Sequence, residues 1–571
     1  MKSWMPVVLS LSFLFVLMPC KAQQNIFINQ AGYLPSSQKH VYVDYQAESF
    51  SIINRETAKP VFTGELTIRS EKDVNTGLSI YEGDFSTLTE PGDYLVKIKS
   101  SLNSGITSYP FKISTSPYAN LIEKANKSLF LQRCGMDLLE EYAGEHHRCK
   151  CHLDDAKYHP TAALEGNKDV TGGWHDAGDY GKYIAAGSVT SAYLLLAYEL
   201  APVKHYSDSW GIPESGNGIS DLLDEIKYEV DWMLKMQRED GAVHEKVHTK
   251  LYADFMMPGE SKTQRYIYEV SSTATADFVA IMARVSRVYE SIDQNFSDRC
   301  KKAALKSYAY LQKHPDIFPE GGFKNPADTK AGGYSDAYDK DERLWAATEL
   351  FILTGKKKYY HDYQLLKEVV GSSFSEASWA NPSTLAYYTM LFSDNAKIDE
   401  VEKKALKASL IEYCDRHVAI AEKDGFRTGM LANDFVWGST SSVLKKAINL
   451  IYGYELTGNE AYKNLAISHM DYIVGVNVHK ISFVTGVGTK RILHLHHAPS
   501  IADMHAEPIP GILSGGPNKF LNDAALQNAF DENTPPAKCF VDDVESYASN
   551  ENTISGHSVL YFVATYIDGL E

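Results

Sequence analysis

The chain has 571 residues, too many for one average domain, so we expect two domains, one of them large. Its 44% hydrophobic and 23% charged residues are typical of a globular protein, and its net charge of −17 disfavours nucleic acid or an anionic membrane as partner. Aromatic residues reach 12%, with 36 tyrosines. Most of these rings will belong to the core, but exposed ones in a groove would suit flat, weakly polar ligands such as sugars.

Residues 1–22 have the features of a secretory signal peptide. A basic start, the apolar run 7–18 and a small residue at Ala22 predict export to the periplasm or the medium, with cleavage after Ala22. Lipoprotein processing at Cys20 is the alternative, but Pro19 directly before it fits that signal poorly. No other stretch approaches the roughly 20 apolar residues of a membrane span, so we expect no stable membrane insertion.

Residues 23–114 alternate between apolar and polar positions. The segments Val41-Tyr-Val43, Leu66-Thr-Ile68 and Tyr94-Leu-Val-Lys-Ile98 each place apolar side chains at every second position. Short strands at this spacing predict a small β-sandwich. We find no cluster of His, Asp or Glu in it that could perform chemistry, so a role in packing is expected, with carbohydrate binding as an alternative.

From residue 115 to residue 571 the apolar period changes to about 3.6, which indicates helices. Leu353-Thr-Gly355 recurs as Leu456-Thr-Gly458, and each predicts a helix ended by a glycine and followed at once by another helix. About a dozen helices in such hairpins would form a closed α/α toroid, with the loops at one end forming an active face. Helices are predicted at 219–237, 271–291, 342–354, 398–421, 441–456 and 555–567.

The loop 171–183 carries two carboxylates, Asp176 and Asp179, on a segment with three glycines. Glycine permits sharp turns, so the two carboxylates can converge on one water molecule. The structural alternative is that Asp179 caps a helix beginning near Tyr183 and Asp176 lies in a turn.

Cysteines and histidines cluster ahead of this loop. Cys134, Cys149, Cys151 and His152, together with His175 inside the loop, form a set of soft ligands suited to tetrahedral zinc. A local disulfide fits the same spacing in an oxidising compartment. Spacing alone leaves both open.

Long loops near the C-terminus form a second candidate region, and loops of this length are usually functional. A single histidine is more often structural than catalytic, but three in four residues, beside a loop rich in glycine and proline, lower the odds of a purely structural role. Glu551 is predicted to open the last helix, where the helix dipole stabilises a carboxylate in any case. The segments are 482–499 with His494, His496 and His497, then 508–518, then 540–551.

These motifs together resemble glycoside hydrolase family nine, the inverting endo-β-1,4-glucanases, in the subgroup that carries an immunoglobulin-like domain before a catalytic (α/α)6 toroid. The resemblance covers nearly the whole sequence after residue 22. It is carried by Asn29-Gln-Ala-Gly-Tyr33, Pro91-Gly-Asp-Tyr94, Gly173-Trp-His-Asp-Ala-Gly-Asp-Tyr180, Leu222-Leu-Asp-Glu-Ile226, Ser272-Thr-Ala-Thr-Ala276, His496-His497, and Tyr547 with Asn550-Glu551.

The resemblance implies a role for each residue of the site. Glu551 would be the general acid and Asp179 the general base, with Asp176 holding the same water. The acid must keep its proton, for which burial or the negative charge of Asp542 and Asp543 would raise its pKa. The residues implied to contact or border the sugar are His496, Trp174, Tyr180, Tyr547 and Asp542.

The resemblance also favours zinc over a disulfide. Cys134, Cys151, His152 and His175 would form a closed Cys2His2 site, which is structural and fixes the catalytic loop through His175. Calcium is common in the family, but the sequence assigns no ligands to it.

Three positions depart from the family pattern: Ala498 replaces its usual Arg, and His557 and Thr440 replace Asn. Ala498 matters most, because a guanidinium makes bidentate hydrogen bonds that alanine cannot replace. Arg491, on the same loop, is the candidate substitute.

The sequence therefore predicts a monomeric, exported, endo-acting hydrolase of β-1,4-glucosidic bonds in a cellulose-like, xyloglucan or mixed-linkage glucan. An exo-acting enzyme of the β-glucosidase or glucosaminidase type is the first alternative. A carbohydrate-binding protein without hydrolytic activity is the second, and the presence of Asp176, Asp179 and Glu551 argues against it.

Overall fold

The structure is a computed structural model that describes residues 25–100, 103–200, 207–395 and 397–570. The predicted signal peptide, residues 1–22, lies outside the described residues. Among the helices described, none is both long and apolar enough to cross a bilayer.

Two antiparallel sheets form the N-terminal β-sandwich. One sheet has the strand order β1-β2-β6-β5, and the other has β4-β3-β7-β8 with β9 also paired to β7. Alternating residues such as Val41, Val43, Val96 and Ile98 point inward to form its core. The strands are β1 Ile26–Phe27, β2 His40–Val43, β3 Ser49–Asn54, β4 Pro60–Glu65, β5 Thr67–Ser70, β6 Ile80–Asp84, β7 Gly92–Ser100, β8 Asn103–Thr107 and β9 Phe111–Ile113.

The rest of the described chain is mainly helical and includes twelve helices of ten residues or more. These are α1 Ala119–Leu131, α3 Ile184–Leu200, α4 Asp221–Met236, α5 Ser272–Tyr289, α6 Gln294–Lys313, α7 Lys340–Thr354, α8 Lys357–Val370, α9 Ser383–Phe392, α10 Glu400–Ala421, α11 Ser439–Thr457, α12 Glu460–Ile473 and α16 Ile554–Asp568. Shorter helices are α2 Glu140–Ala143, α13 Ala498–Ala502, α14 Ala524–Ala529 and α15 Tyr547–Asn550.

The long helices alternate between an inner and an outer layer. Helices α3, α5, α7, α9, α11 and α16 are buried over most of their surface, and the chain of contacts α16-α3-α5-α7-α9 follows the inner ring. The α7–α8 and α11–α12 hairpins turn at Gly355 and Gly458, both in the left-handed conformation that glycine favours. The predicted combination of a β-sandwich and an α/α toroid is confirmed.

A small sheet joins the loops at one end of the toroid. Its order is β10-β13-β12-β11, formed by β10 Lys157–Tyr158, β11 Lys182–Tyr183, β12 Lys246–Thr249 and β13 Arg265–Ile267. Strand β11 directly follows the loop 171–181. The sheet therefore places residues from four separate segments beside the predicted catalytic loop.

Candidate active site

The loop 171–181 is held by buried contacts on both sides. The Trp174 amide donates to Glu229 Oε2 at 2.6 Å, and the His175 amide donates to the Gln132 carbonyl at 2.9 Å. Lys182 lies 2.9 Å from Asp155 Oδ2 and donates to the Gly172 carbonyl. Helix α3 begins at residue 184, after strand β11, so the carboxylates of this loop do not cap it.

Three distant backbone segments meet at Gly178. The Gly178 amide donates to Glu551 Oε1 at 3.2 Å, and its carbonyl accepts from the Ala498 amide at 2.8 Å. A Cβ at position 178 would lie 2.3 Å from the His496 carbonyl oxygen, so only glycine fits. The Ile554 amide also donates to the Asp176 carbonyl. Glycine at 178 thus allows the predicted acid to lie against the loop of the predicted base.

Asp179 lies in an environment that keeps it ionised. Its Oδ1 accepts from the Gly181 amide at 2.6 Å and lies 3.3 Å from His248 Nε2. Burial alone would raise the pKa of Asp179, but the charge and hydrogen bond of His248 and the Gly181 amide outweigh it and lower that pKa to about 2. Asp179 can therefore accept a proton.

Asp176 has the opposite environment. Burial and the neighbouring Asp179 raise its pKa to about 7, while the Tyr334 hydroxyl donates to its Oδ2 at 2.5 Å and opposes that rise. Its Oδ1 is buried and has no hydrogen-bond partner among the described residues. This free oxygen is a site for a water proton.

Glu551 is the second carboxyl group in this region with a raised pKa. Burial is the main cause, and the negative charges of Asp179 and Asp176 add to it. Asp542 and Asp543, the predicted sources, do not contribute. Glu551 lies between α15 and α16, whose N-cap is Thr553, so it precedes the last helix rather than opening it.

Asp179 and Glu551 line a cavity of about 520 Å³, whose other lining residues also belong to the helical domain; Asp176 is not part of this lining. The predicted residues Asp179, Tyr180, His496, Tyr547 and Glu551 all line it. His496 uses Nδ1 to bond the Val544 carbonyl, which leaves Nε2 available to a ligand.

Exposed aromatic rings extend from this cavity. Tyr547 is 39% exposed and Trp437 is 48% exposed, with their ring centroids 5.3 Å apart. Phe255 packs edge-on against His496 at 5.1 Å, and the His496 ring lies 6.1 Å from Tyr547. Rings of this kind stack on the flat faces of sugars.

Two residues predicted to contact the sugar, Trp174 and Asp542, do not line this cavity. Trp174 is only 1% exposed and donates its indole N–H to Glu225 Oε2 at 3.1 Å, so it belongs to the core. Asp542 does not line the cavity, because its carboxylate accepts from the amides of Leu493 and His494 and from the Asn550 side chain. It positions the loop that carries the histidines.

Arg491 does not replace the Arg missing at position 498. It pairs with Glu507 and does not line the cavity, whereas Ala498 does. His557 and Thr440, the other two departures, are buried and lie outside the cavity lining.

The structure adds three residues that the sequence reading missed. His248 contacts Asp179, Tyr334 contacts Asp176, and Arg265 lines the cavity. Arg265 donates to Asp155 and to the Tyr180 carbonyl, both at 2.6 Å, and its buried Nη2 has no partner among the described residues. The Gly332-Gly333 pair before Tyr334 was a signal that could have drawn attention to that loop.

The four predicted metal ligands form one buried cluster. The separations are 3.3 Å for His175 Nε2–His152 Nδ1, 3.9 Å for Cys151 Sγ–Cys134 Sγ, and 3.5 Å for Cys134 Sγ–His152 Nδ1. Tetrahedral zinc requires edges of about 3.3 Å between nitrogens and about 3.8 Å between sulfurs. None of the cysteines described by the structure forms a disulfide. The donor set and its spacing therefore fit a metal ion.

Three of the four side chains have a pKa shifted toward the form that binds a metal, whereas burial raises the pKa of the Cys134 thiol. Hydrogen bonding from Cys134 is the largest cause of a lowered pKa at Cys151, with His152 and His175 adding to it. Burial lowers the pKa of His175 to about 3. Thiolate and neutral imidazole are the forms that bind zinc.

A second buried group consists of carboxylates alone. Asp277, Asp336, Asp341 and Glu342 expose oxygens to one another without a hydrogen-bond partner among the described residues. Burial and mutual repulsion raise the pKa of Asp277 and of Glu342, and raise that of Asp341 to about 6.

Both domains of the chain match models of known protein families. Residues 118–564 match the model of glycosyl hydrolase family 9, and residues 21–102 match that of the cellulase N-terminal ig-like domain. The chain is 35% identical to a xyloglucan-specific endo-beta-1,4-glucanase of Bacteroides ovatus, over 95% of this chain and 94% of that protein. It is 34% identical to a cellodextrinase of Butyrivibrio fibrisolvens, over 95% of this chain and 100% of that one.

Solved structures agree with these matches. The crystal structure of a Zn-binding triple mutant of GH family 9 endoglucanase J30 has a TM-score of 0.86 and 31% identity, covering 94% of this chain and 99% of that one. Since the family match extends over most of the chain and includes both carboxylate-bearing loops, the protein belongs to glycosyl hydrolase family 9 and is a glycoside hydrolase with an N-terminal immunoglobulin-like domain.

Proposed function

We propose that this enzyme hydrolyses internal β-1,4 bonds of a soluble glucan, with Glu551 as the general acid and Asp179 as the general base. One observation carries the assignment: a single cavity holds one carboxyl group with a raised pKa and another with a lowered pKa. An inverting glycosidase needs both, a proton donor on one side of the bond and an ionised base on the other.

The reaction follows from the hydrogen-bonding capacity of the three carboxyl groups. Asp179 and the unpartnered Oδ1 of Asp176 would hold the attacking water molecule between them. As its oxygen attacks the anomeric carbon, Asp179 takes its proton and Glu551 donates one to the departing glycosidic oxygen. Attack from the face opposite the leaving group inverts the configuration, so the first product is the α-anomer.

Binding of the chain is assigned to the aromatic rings and to His496. Tyr547, Trp437 and Phe255 lie partly exposed around the cavity, where stacking would hold successive glucosyl units. His496 Nε2 would bond a hydroxyl of the sugar beside the scissile bond. The two relatives act on different substrates by name, a xyloglucan and cellodextrins, so we propose xyloglucan or another soluble β-glucan as the substrate class.

A structural zinc ion completes the proposal. Cys134, Cys151, His152 and His175 would hold zinc with no open position, so the ion would supply rigidity next to Asp176 and take no part in bond cleavage.

Export and a monomeric state remain predictions of the sequence. A secreted location would bring the enzyme to polysaccharides too large to enter a cell.

Hydrolysis of carboxymethylcellulose, xyloglucan and lichenan tests the proposal. Endo action lowers viscosity much faster than it releases reducing ends, whereas an exo-acting enzyme shows the reverse. A carbohydrate-binding protein without activity would release nothing above an Asp179→Asn control. NMR of the first product must show the α-anomer, and a β-anomer would exclude the inverting mechanism.

A further inference from the structure

A second cluster of metal-binding side chains lies outside the active site. His146 ends a short 3-10 helix at Gly144–His146, and Asp503 and His505 follow helix α13. One ligand atom from each of the three residues lies within 4.8 Å of the others. His146 Nδ1 is 3.0 Å from Asp503 Oδ2, and the two imidazole rings are 5.1 Å apart. None of the three residues lines the substrate cavity.

The backbone brings Asp503 and His505 back toward each other. Met504, between them, has φ of 61°, a left-handed conformation that is uncommon for a residue with a side chain. The Met504 side chain is 89% exposed, so its own packing does not offset the energetic cost of this backbone conformation. The turn is closed by the His505 amide, which donates to Asp503 Oδ1 at 3.0 Å. Both ligand side chains therefore point to the His146 loop.

The donor chemistry selects the class of metal. Two imidazoles and one carboxylate suit zinc and neighbouring divalent transition metals, whereas calcium and magnesium prefer oxygen ligands only. The side chains of His146 and Asp503 are each only 8% exposed, so two of the three ligands are already largely ordered before an ion binds. His505 is exposed, and its Nε2 lies 3.1 Å from the Glu145 carbonyl oxygen, beside His146.

We propose that His146, Asp503 and His505 bind a divalent transition-metal ion of the zinc class, with water completing the coordination. The site is separate from the Cys2His2 cluster, because it has no sulfur ligand and shares no residue with it.

The consequence of binding is a cross-link between two loops. The first loop leads through Arg148, which contacts Cys151 Sγ at 3.4 Å, into the Cys2His2 cluster. The second follows α13, whose first residue, Ala498, is bonded to Gly178 of the catalytic loop. A metal ion at this position would therefore tie the loop following His496 to the segment that holds the buried cluster.

Metal content and zinc titration test this site directly. After dialysis against a mild chelator, the full-length protein is titrated with Zn²⁺ by calorimetry, alongside His146→Ala/His505→Ala, His505→Ala alone and the matched control His147→Ala. His147 is adjacent and exposed but lies outside the cluster. We expect the first two variants to lose one equivalent of bound zinc at micromolar concentration and the control to keep it.

Cobalt distinguishes the two sites by their spectra. Co²⁺ in the Cys2His2 cluster gives a sulfur-to-metal charge-transfer band, and Co²⁺ bound by His146, Asp503 and His505 gives only ligand-field bands. In a Cys151→Ser background, one sulfur-free Co²⁺ site must remain and must disappear with His505→Ala. If the His146/His505 variant binds as much zinc as the control, or if binding needs millimolar zinc, the proposal is wrong.

Discussion

Replacing Glu551 by Gln tests the acid without disturbing the backbone around it. The amide oxygen of Gln can still accept the 3.2 Å hydrogen bond from the Gly178 amide, so the three segments that meet there stay joined. The variant loses only the proton that the reaction needs. Glu545, exposed and on the same segment, provides the matched Glu545→Gln control.

The size of the effect follows from the lack of a replacement donor. Asp179, with a pKa of about 2, is ionised throughout the working pH range. Asp176 accepts a hydrogen bond from Tyr334 and is assigned to the attacking water, on the side of the glycosidic bond opposite Glu551. General acid catalysis contributes roughly 10²- to 10⁴-fold, or about 2.7–5.4 kcal/mol. Asp176 also has a raised pKa, of about 7, but is assigned to the attacking water, so we expect the upper half of that range for kcat/KM on xyloglucan.

Two measurements separate a lost acid from a damaged fold. An aryl glycoside with a good leaving group needs no protonation, so Glu551→Gln should recover most of its rate on that substrate. The wild-type rate should fall as pH rises through the raised pKa of Glu551, and this alkaline limb should vanish in the variant. Equal losses on both substrates, or an unchanged alkaline limb, would refute the assignment.

Stability provides an independent check of the same pKa. A carboxyl group whose folded pKa lies above its unfolded value of 4.5 binds its proton more tightly in the folded state, so stability falls as pH rises between the two values. A glutamine side chain does not ionise, so it causes no such loss of stability as the pH rises. We therefore expect Glu551→Gln to melt at a higher temperature than wild type at pH 7 and at the same temperature near pH 4.

Three further substitutions test other parts of the site. Cys151→Ser should abolish bound zinc at the Cys2His2 cluster and lower the melting temperature, and Cys149→Ser, an exposed neighbour, should change neither in metal analysis and calorimetry. His248→Ala should raise the pKa of Asp179 above about 2 and move the acid limb of the pH profile to higher pH, because the base must be ionised. Trp174→Phe should cost about 1–3 kcal/mol of unfolding free energy by leaving a buried acceptor unpaired, with KM unchanged; a raised KM would restore its predicted place in the groove.

Residues in short, dense motifs were predictable from sequence. Asp176, Asp179 and His175 lie within five positions of one another, and a glycine-rich loop with such contents has few structural explanations. Trp174 lies in the same motif, but sequence does not reveal that its indole points at α4 rather than at the groove. A loop lacks the regular repeat of a helix or strand, so its sequence does not predict which of its side chains are buried.

His248 and Arg265 were missed because strand pairing places them. In the β12–β13 ladder, Thr249 pairs with Arg265 and His248 pairs with Tyr266. The pairing places them on neighbouring strands, where His248 lies 3.3 Å from Asp179 and Arg265 bonds the Tyr180 carbonyl. Both come from segments about 70 to 90 positions further along the chain. Four short strands from separate loops carry no local signal strong enough to predict that pairing.

In the helical toroid, too, some features were predictable from the sequence and others were not. Its outer helices carry the apolar stripe that a period of 3.6 reveals, as α4 does at 221–236 against the predicted 219–237. The inner helices are buried all round and carry no stripe, so their layer emerges only from packing. Glycine C-caps at 355 and 458 were the local features that predicted the hairpins correctly.

The replacement of the family's Arg by Ala498 alters the charge on one side of the cavity. With Arg491 paired to Glu507, the cavity-lining guanidinium belongs to Arg265, which lies on the side of Asp179 and helps to lower its pKa. The positive charge therefore stabilises the ionised form of Asp179. The side lined by Ala498 lacks both the bidentate hydrogen bonds of an arginine side chain and its bulk. On the proposed function, a substrate substituent on this side would meet only the methyl group of Ala498.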